Sequence, residues 1–400
     1  MRAQLNWHRR VRPAAIAAVT IAGLGLTVMT SAASASVAAN PAASSAKASA
    51  HWRIVARAND ALTTIVAPAA GSAWALGEKA GGTFGSLPAG VRWNGHRWSP
   101  VSFPKAVQSG IACSGASSPR NVWALAGLSL DGGSASYAGA LRLSGAKWVV
   151  KKAFTPAGLV SGCTVLSPTN IWVYGLTHVA PGLGTWRLKG TTWRATTTGH
   201  FYLISASKVS ARDIWAMAAD QVGNNDVIAH FNGSSWSADS AFAAALPAQS
   251  STLTWSVSAI NAVRAGDVWV AGQILRETSP DTWVPSPYVL HLAGGKWHTV
   301  ARSNAGYYLP GAVSDGHGGW WSQGTGLEFG FGAASAKPYL LHESGGRWSR
   351  VSIAVPKGYQ MQIMDVVHVP GSHAMLAVAS LYNGSPTLRS VVLAYGQLPK

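Results

Sequence analysis

The sequence predicts an all-β fold, a single seven-bladed β-propeller of four-stranded blades, and two observations support this prediction. The first is a tryptophan-marked unit that recurs along nearly the whole chain, as in Ile214-Trp215-Ala216 followed by the turn Asn232-Gly233 and by Trp236. A repeat of roughly 40–50 residues with several short strands is typical of a propeller. The second is composition: charged residues make up only 11% of the chain, glycine occurs 44 times, and no long segment shows helical periodicity.

The N-terminus predicts an export signal over residues 1–35. A basic segment is followed by the uncharged, apolar segment Ala14 to Met29 and by Ala33-Ser34-Ala35, which fits cleavage after Ala35. The alternative is an uncleaved membrane anchor, because the apolar run is close to the minimum length of a span. Residues 36–49 are rich in Ala and Ser and are expected to be disordered. The propeller is expected to occupy residues 50–400.

Within one unit, residues 203–239, the pattern predicts four strands, a to d. Leu203 to Val209 alternates as strand a, and Ile214 to Ala218 forms strand b with Trp215. Val227 to Phe231 forms strand c, and the Asn232-Gly233 pair favours a tight hairpin turn into strand d. The a–b and c–d turns are short, whereas longer b–c loops, among them 77–90, 127–139, 273–287 and 323–337, should emerge with the d–a links on one face of the ring.

Six units are complete, because each carries both tryptophans. The strand b tryptophans are Trp74, Trp123, Trp172, Trp215, Trp269 and Trp320 or Trp321, and the strand d tryptophans are Trp98, Trp148, Trp193, Trp236, Trp297 and Trp348. A degenerate seventh unit runs from Ile363 to Gly396 and lacks strand d. The segment His51-Trp52-Arg53-Ile54-Val55 has the matching pattern and is predicted to supply that strand and close the ring.

These repeats resemble exported, actinobacterial-type propeller proteins with D-[IV]-W-A-x-G and W-[ND]-G-x-x-W motifs, which are similar to kelch-like and galactose-oxidase-like propellers. The resemblance covers residues 50–400 and implies the fold, whereas propellers of this kind host binders, enzymes and scaffolds alike. The chain departs from the motif in unit 1, where Ser72 precedes Ala73-Trp74 without an aspartate, and in units 2 and 3, which carry Asn121 and Asn170. The repeated tryptophans are expected to fill the space between blades rather than to bind sugar.

Cys113 and Cys163 lie ten and nine residues before the tryptophans of units 2 and 3, so both should occupy the same place on strand a of adjacent blades. Export permits a disulfide between them. Two buried free thiols are the alternative. A cysteine nucleophile is not expected, because neither unit places a histidine close by.

Charge is divided unevenly along the chain. Residues 51–210 hold 15 basic and 3 acidic side chains, whereas residues 211–400 hold 11 of each. Such a surface favours anionic partners, although solubility and compositional bias are the alternative explanation. The basic candidates for a binding site near the d–a links are Lys105, Lys151, Lys152, Arg194 and Lys208.

Aromatic residues cluster at the d–a links of the later units only. They are Phe201, Tyr202, Trp255, Tyr307, Tyr308 and Tyr359. These rings could flank the mouth of the central channel, where aromatic faces beside cations suit an anionic saccharide. The alternative is that they pack as core of strand a.

We predict an exported, non-catalytic protein, secreted or wall-associated, that binds an anionic wall polymer or extracellular glycan on the long-loop face. No catalytic residue, cofactor or metal ligand is assigned, because the 14 acidic residues show no glycosidase pair and the histidines of units 6 and 7 have no ligand spacing. The alternatives are a scaffold for an extracellular protein and a metal-dependent propeller lyase or hydrolase. No nucleic-acid partner and no membrane span after signal removal are expected, and the protein is expected to be a monomer.

Overall fold

The structure is a computed structural model, and it describes residues 51–81, 85–129, 137–155, 158–176, 182–220, 225–280, 282–302, 307–308, 312–326, 338–345, 347–384 and 389–399. Seven antiparallel sheets of four strands each succeed one another along the chain, and blade 6 has a short additional strand. The predicted signal segment with Ala35 and the predicted disordered segment 36–49 lie outside the described residues. Those two assignments therefore stay predictions.

The innermost strand of each blade, strand a, follows the link from the preceding blade. These strands are β2 (Ala61–Ala69), β6 (Val107–Ser118), β10 (Val160–Ser167), β14 (Phe201–Ser210), β18 (Leu253–Arg264), β23 (Ala312–Ser314) and β27 (Gln360–His368), with β22 (Tyr307–Tyr308) preceding β23 in blade 6. Successive a strands contact one another, and β27 contacts β2. The seven blades therefore form a closed ring.

The second strand, b, carries the repeated tryptophan. These strands are β3 (Ser72–Ala80), β7 (Asn121–Leu128), β11 (Asn170–Gly175), β15 (Asp213–Asp220), β19 (Asp267–Ser279), β24 (Trp320–Gly326) and β28 (Met375–Tyr382). Strand c pairs with it in each blade. These strands are β4 (Ser86–Trp93), β8 (Tyr137–Ser144), β12 (Thr185–Lys189), β16 (Asp226–Phe231), β20 (Thr282–Ala293), β25 (Tyr339–Ser344) and β29 (Arg389–Tyr395).

The outermost strand, d, completes each blade. In chain order these strands are β1 (Trp52–Ala58), β5 (Trp98–Pro100), β9 (Lys147–Phe154), β13 (Thr192–Thr196), β17 (Trp236–Ala238), β21 (Lys296–Arg302) and β26 (Arg347–Ser352). Strand β1 belongs to blade 7, because it pairs antiparallel with β29, from Trp52 opposite Tyr395 to Ala58 opposite Ser390. The predicted seven-bladed fold, closed by the N-terminal strand, is confirmed.

The two faces of the ring differ in their connections. We call the face that carries the d–a links and b–c connections the loop face, and the opposite one, with the a–b and c–d turns, the turn face. One expected long loop is wrong: in blade 5, segment 273–287 is mostly paired strand, with Ile274 opposite Ser286 and Arg276 opposite Val284. In blade 1 as well, most of 77–90 belongs to β3 and β4. Parts of the other two predicted loops, 130–136 and 327–337, lie outside the described residues.

One element was not expected from the sequence, a short helix α1 (Ser240–Ala244) in the d–a link between blades 4 and 5. Asp239 begins it as N-cap, because its carboxylate accepts hydrogen bonds from the backbone N–H groups of Ala241 and Phe242. Phe242 is buried against Trp255 and Trp297, at centroid distances of 5.7 and 5.4 Å. No helix in the described part of the chain is long and apolar enough to cross a membrane.

The tryptophans of strand b are structural, as expected. Trp74, Trp172 and Trp321 are at most 1% exposed. Trp74 packs with strands of blade 2, and Trp172 packs edge-on against Phe231 and Trp236 of blade 4. Each ring therefore fills the wedge between its own blade and the next.

The cysteines of blades 2 and 3 form the predicted disulfide. Cys113 on β6 and Cys163 on β10 are bonded, with their Cα atoms 6.1 Å apart. The bond joins two neighbouring a strands at the centre of the ring. It also fits an oxidising compartment, as expected for an exported protein.

Candidate functional site

A pocket opens on the loop face between blades 4 and 5. Its volume is about 390 Å³, within the range of small-molecule sites. The lining comes from the start of β16, the end of β17, helix α1 with its flanking link, and the start of β18. The lining residues are Asn225, Asp226, Val227, Ile228, Ala238, Asp239, Ser240, Phe242, Ala243, Gln249 and Trp255.

Local sequence positions the walls of this pocket. The Asp239 cap and the alanine-rich segment after it favour a helical turn, which places Phe242 beneath the link. Asp239 also accepts a hydrogen bond from Trp297 Nε1 at 3.0 Å, so it anchors the link to strand d of blade 5. Thr254 Oγ1 donates to Gln249 Oε1 at 3.0 Å, which ties the end of the link to β18.

Asp226 is one of the two carboxyl groups in the pocket lining. Its Oδ2 accepts a hydrogen bond of 2.6 Å from the Val257 backbone N–H, across the junction of the two blades. Burial raises the pKa of Asp226 to about 6, and the hydrogen bond from Val257 opposes that rise. The carboxyl group therefore exchanges its proton close to neutral pH.

Two tyrosines surround Asp226. Tyr202 and Asp226 lie in one register row of blade 4, with Ala219 between them. Tyr288 donates its hydroxyl to Ser256 O at 3.1 Å, and its ring lies against Gly272, where any Cβ would clash with it. Burial, followed by the charge of Asp226, raises the pKa of both phenols, so both are neutral donors.

The predicted aromatic residues do not form one surface. Trp255 lines the pocket, and Tyr202 lies near its carboxylate. Phe201 instead packs in the core between blades 3 and 4, and Tyr359 contacts Arg389 in blade 7. The prediction placed these residues at the d–a links, but Phe201, Tyr202 and Trp255 belong to strands and only Tyr359 lies in a link. The backbone of Tyr307 and Tyr308 forms β22, and their side chains lie outside the described part.

The predicted basic residues lie on blades 2 to 4, away from the pocket lining. Lys105 is exposed in a d–a link, and Lys151 and Arg194 are exposed on outer strands. Lys152 lies 5.6 Å from the ring centroid of Trp186. Lys208 differs from the expectation: it lies at the turn-face end of β14, where its Nζ donates to Val165 O. Burial lowers its pKa to about 8.

A repeated structural pair explains much of the charge division along the chain. Opposite the strand b tryptophan, blades 1 to 3 carry an arginine, and Arg187 for example lies 4.6 Å from the ring centroid of Trp172. Blades 4 to 6 carry a histidine there, such as His291, which stacks on Trp269 at 3.9 Å and bonds Asp267 Oδ1 at 2.7 Å. The net charges of residues 51–210 and 211–400 differ by twelve. The three arginines and the three carboxylates at these positions account for six of that difference. The sequence does not show this pairing, because only the register between strands b and c places each partner opposite its tryptophan.

Histidines of blades 6 and 7 meet on the turn face. His317 stacks on His373 at a centroid distance of 3.8 Å and lies 6.1 Å from His368. His342 is held by Asp315 at 2.9 Å. Among the described residues, no three His, Cys, Asp or Glu side chains are arranged to hold a metal ion.

Comparisons with known proteins show the fold. No family model matches the chain, and no curated protein matches it. A xyloglucanase from Xanthomonas campestris has a TM-score of 0.52 at 13% identity over 85% of this chain, which spans only 55% of the enzyme. YCF48 bound to a D1 peptide has a TM-score of 0.51 at 12% identity, covering 94% of this chain and 99% of the other.

A third structure, the polysaccharide lyase Uly1, has a TM-score of 0.49 at 11% identity, covering 93% and 97% of the two chains. The strand pairing and the first two of these structures show the propeller, whereas the kelch-like type and the motif family stay predictions. The prediction that the protein is not an enzyme is wrong as it stands. One solved structure similar to this chain is an enzyme, the xyloglucanase, so the lack of a recognised catalytic motif was insufficient to exclude catalysis.

Proposed function

We propose that this protein binds a saccharide unit of an extracellular polymer in the pocket between blades 4 and 5. The observation that carries the proposal is a concave, largely apolar site with aromatic walls and a few polar side chains in its lining. Trp255 and Phe242 supply apolar surface, and Asp226, Asn225 and Gln249 supply hydrogen-bonding groups at its edges. A sugar ring presents an apolar face and a rim of hydroxyls, and such a pocket matches both.

The position of the pocket supports the same proposal. It lies on the loop face, where scaffolds of this kind place their binding residues. Both walls belong to one blade junction, joined by the hydrogen bond from Val257 to Asp226 and by the contact of Asp239 with Trp297. A ligand therefore meets a largely preformed site, which limits the entropy lost on binding.

The test is a panel of soluble oligosaccharides titrated calorimetrically against the wild type, Trp255→Ala and Gln249→Ala. We expect the wild type to bind and the affinity of both variants to be lower by about tenfold or more, since each substitution removes a ligand contact. Gln249→Ala leaves the aromatic core intact, so it separates lost contact from lost folding. Tyr359→Ala, which removes a predicted aromatic of blade 7, is the matched control and should bind normally. Equal affinities for all four proteins would contradict the pocket as the site.

A second candidate function is cleavage of the bound glycan, and Asp226 favours it. A general acid or base works best when its pKa lies near the working pH, and burial places that of Asp226 at about 6. We expect new polymer chain ends to appear during incubation with the wild type and not with Asp226→Asn. Binding without any chain ends, at every pH between 5 and 8, would leave the protein a binder only.

The preference for an anionic wall polymer is the narrower part of the proposal, and it concerns exposed cations outside the pocket rather than the pocket itself. Exposed Lys105, Lys151 and Arg194 support it on blades 2 and 3, although the arginines stacked on tryptophans serve the fold instead. Retention on such a polymer should fall steeply from low to moderate salt. Salt-independent retention would favour the alternative, a partner protein on the loop face. Secretion itself is supported by the disulfide and by the predicted signal.

A further inference from the structure

The pocket between blades 4 and 5 is largely apolar, but the charged side chains in its lining are all acidic, in contrast to the basic chain that contains it. Its lining includes the carboxylates of Asp226 and Asp239 and no Lys, Arg or His. A third carboxylate lies next to it, because Asn225 Nδ2 donates to Asp220 Oδ2 at 3.3 Å. Neither segment 221–225 nor segment 239–252, which flank the pocket in sequence, contains a basic residue.

The two lining carboxylates differ in what they can offer a ligand. Asp239 is occupied: Oδ1 accepts from the N–H groups of Ala241 and Phe242, and Oδ2 accepts from Trp297. Asp226 accepts one hydrogen bond, from Val257 to Oδ2, and its Oδ1 has no partner among the described residues. Asp226 is therefore the carboxylate that can bond directly to a ligand, while Asp239 adds a fixed negative charge.

The groups facing Asp226 from the neighbouring elements do not neutralise it. Tyr202 on β14 and Tyr288 on β20 are close enough for its charge to raise their pKa, and Asp220 on β15 does the same to Tyr202, so these neighbours are neutral or acidic. In such a site the ionised carboxylate is costly, and the cost is met either by taking up a proton or by pairing with a cation, so a cationic ligand group has a pairing energy that a neutral one lacks.

Resting on the proposed function, we infer that the saccharide unit taken by this pocket carries an amine, so that a sugar ammonium pairs with Asp226 Oδ1. A uronic acid in the same place would meet two carboxylates and no cation, and it is therefore disfavoured. A neutral or N-acetylated sugar could occupy the aromatic walls but would leave Asp226 without its charged partner. Asp226 is the specificity-determining residue in this scheme.

The experiment compares tetramers of β-1,4-linked glucosamine, N-acetylglucosamine, glucose and glucuronic acid by calorimetry at pH 6.5. We expect the glucosamine tetramer to bind the full chain about tenfold tighter than the glucose tetramer, and the glucuronic acid tetramer weakest. Asp226→Asn should abolish the preference for the glucosamine tetramer over the glucose tetramer, because it removes the charge and keeps the shape of the side chain. Its amide oxygen can still accept from Val257, so the blade junction is kept.

The matched control is Asp60→Asn, which removes one carboxylate from the loop face at the link into blade 1, across the ring from the pocket. It should keep the wild-type preference, because a screened charge at that distance contributes little. Equal affinity for glucosamine and glucose tetramers in the wild type, or tightest binding of the glucuronic acid tetramer, would overturn the inference and leave saccharide binding intact. If no tetramer or panel sugar binds in a manner that depends on Trp255, the proposed function itself fails.

Discussion

Asp365 is a buried carboxyl group at the junction of blades 7 and 1. It accepts hydrogen bonds from the backbone N–H groups of Ile65, at 2.9 Å, and Val366, at 2.8 Å, and from Thr64 Oγ1 at 3.3 Å. Thr64 in turn bonds Ser114 Oγ at 2.8 Å, so polar side chains connect blades 7, 1 and 2 beside the channel. Burial nevertheless outweighs these hydrogen bonds and raises the pKa of Asp365 to about 7.

The pKa of Asp365 makes stability depend on pH in a definite direction. Between pH 4 and 7 the folded state holds a proton that the unfolded state has released, so the free energy of unfolding falls as pH rises. The effect should be on the order of 2–4 kcal/mol across that range. Urea titrations at several pH values should show this decline in the wild type and a flatter profile in Asp365→Asn. Parallel profiles for the two proteins would contradict the assignment.

At the scale of the strand, the pair formed by the strand b tryptophan and its strand c partner recurs in six blades. Arg187 and Arg194 lie opposite each other on β12 and β13 and offer a matched test. Arg187 covers the Trp172 ring, and its Nε donates to Asn170 Oδ1 at 3.0 Å, whereas Arg194 is exposed.

Arg187→Ala should therefore lower the free energy of unfolding by about 1 kcal/mol, through the lost cation–π contact and hydrogen bond. Arg194→Ala should change it by less than about 0.5 kcal/mol, as for most surface substitutions. Chemical denaturation of the two variants beside the wild type measures both. A cost for Arg194→Ala as large as that for Arg187→Ala would show that the stack contributes nothing.

The strands were predictable because their signals are local, and the pocket was not, because its parts come together only in three dimensions. The tryptophan positions, the Asn232-Gly233 turn and the shared position of the two cysteines each follow from a short pattern. Asp226 instead could not be recognised as a site residue from sequence, because its environment depends on Val257, which lies on another blade. Helix α1 left a readable signal, since Asp239 precedes an alanine-rich segment, but its five residues are too short for periodicity.

At the scale of the whole molecule, the ring separates stability from recognition. The tryptophan stacks and the disulfide hold neighbouring blades together, and they repeat with the blades. The pocket occurs where the repeat is broken, by the helix in one d–a link and by the acidic residues beside it. The basic half of the chain shows the same separation. Three of its arginines pack on the repeated tryptophans, and only its exposed cations are available to bind a partner.

Ring closure depends on a strand that is distant in sequence from the blade it completes. Trp52 is 3% exposed; its ring packs edge-on against Trp321 of blade 6 at 5.7 Å and in a tilted arrangement against Tyr395 of its own blade at 5.6 Å. Trp52→Ala should lower stability by about 3–5 kcal/mol, the usual cost of removing a buried tryptophan. Arg57→Ala, an exposed change on the same strand, is the control and should melt like the wild type.

Deleting residues 51–58 tests closure itself, because it removes β1 and leaves the edge of β29 unpaired. An open, apolar strand edge invites pairing with another chain. The truncated protein should therefore melt at a lower temperature and elute partly as aggregate from a sizing column, more so than Trp52→Ala, in which the backbone pairing survives. An unchanged melting temperature and a single monomer peak would mean that β28 and β29 hold blade 7 without their outer strand, and that the ring does not need β1 to close.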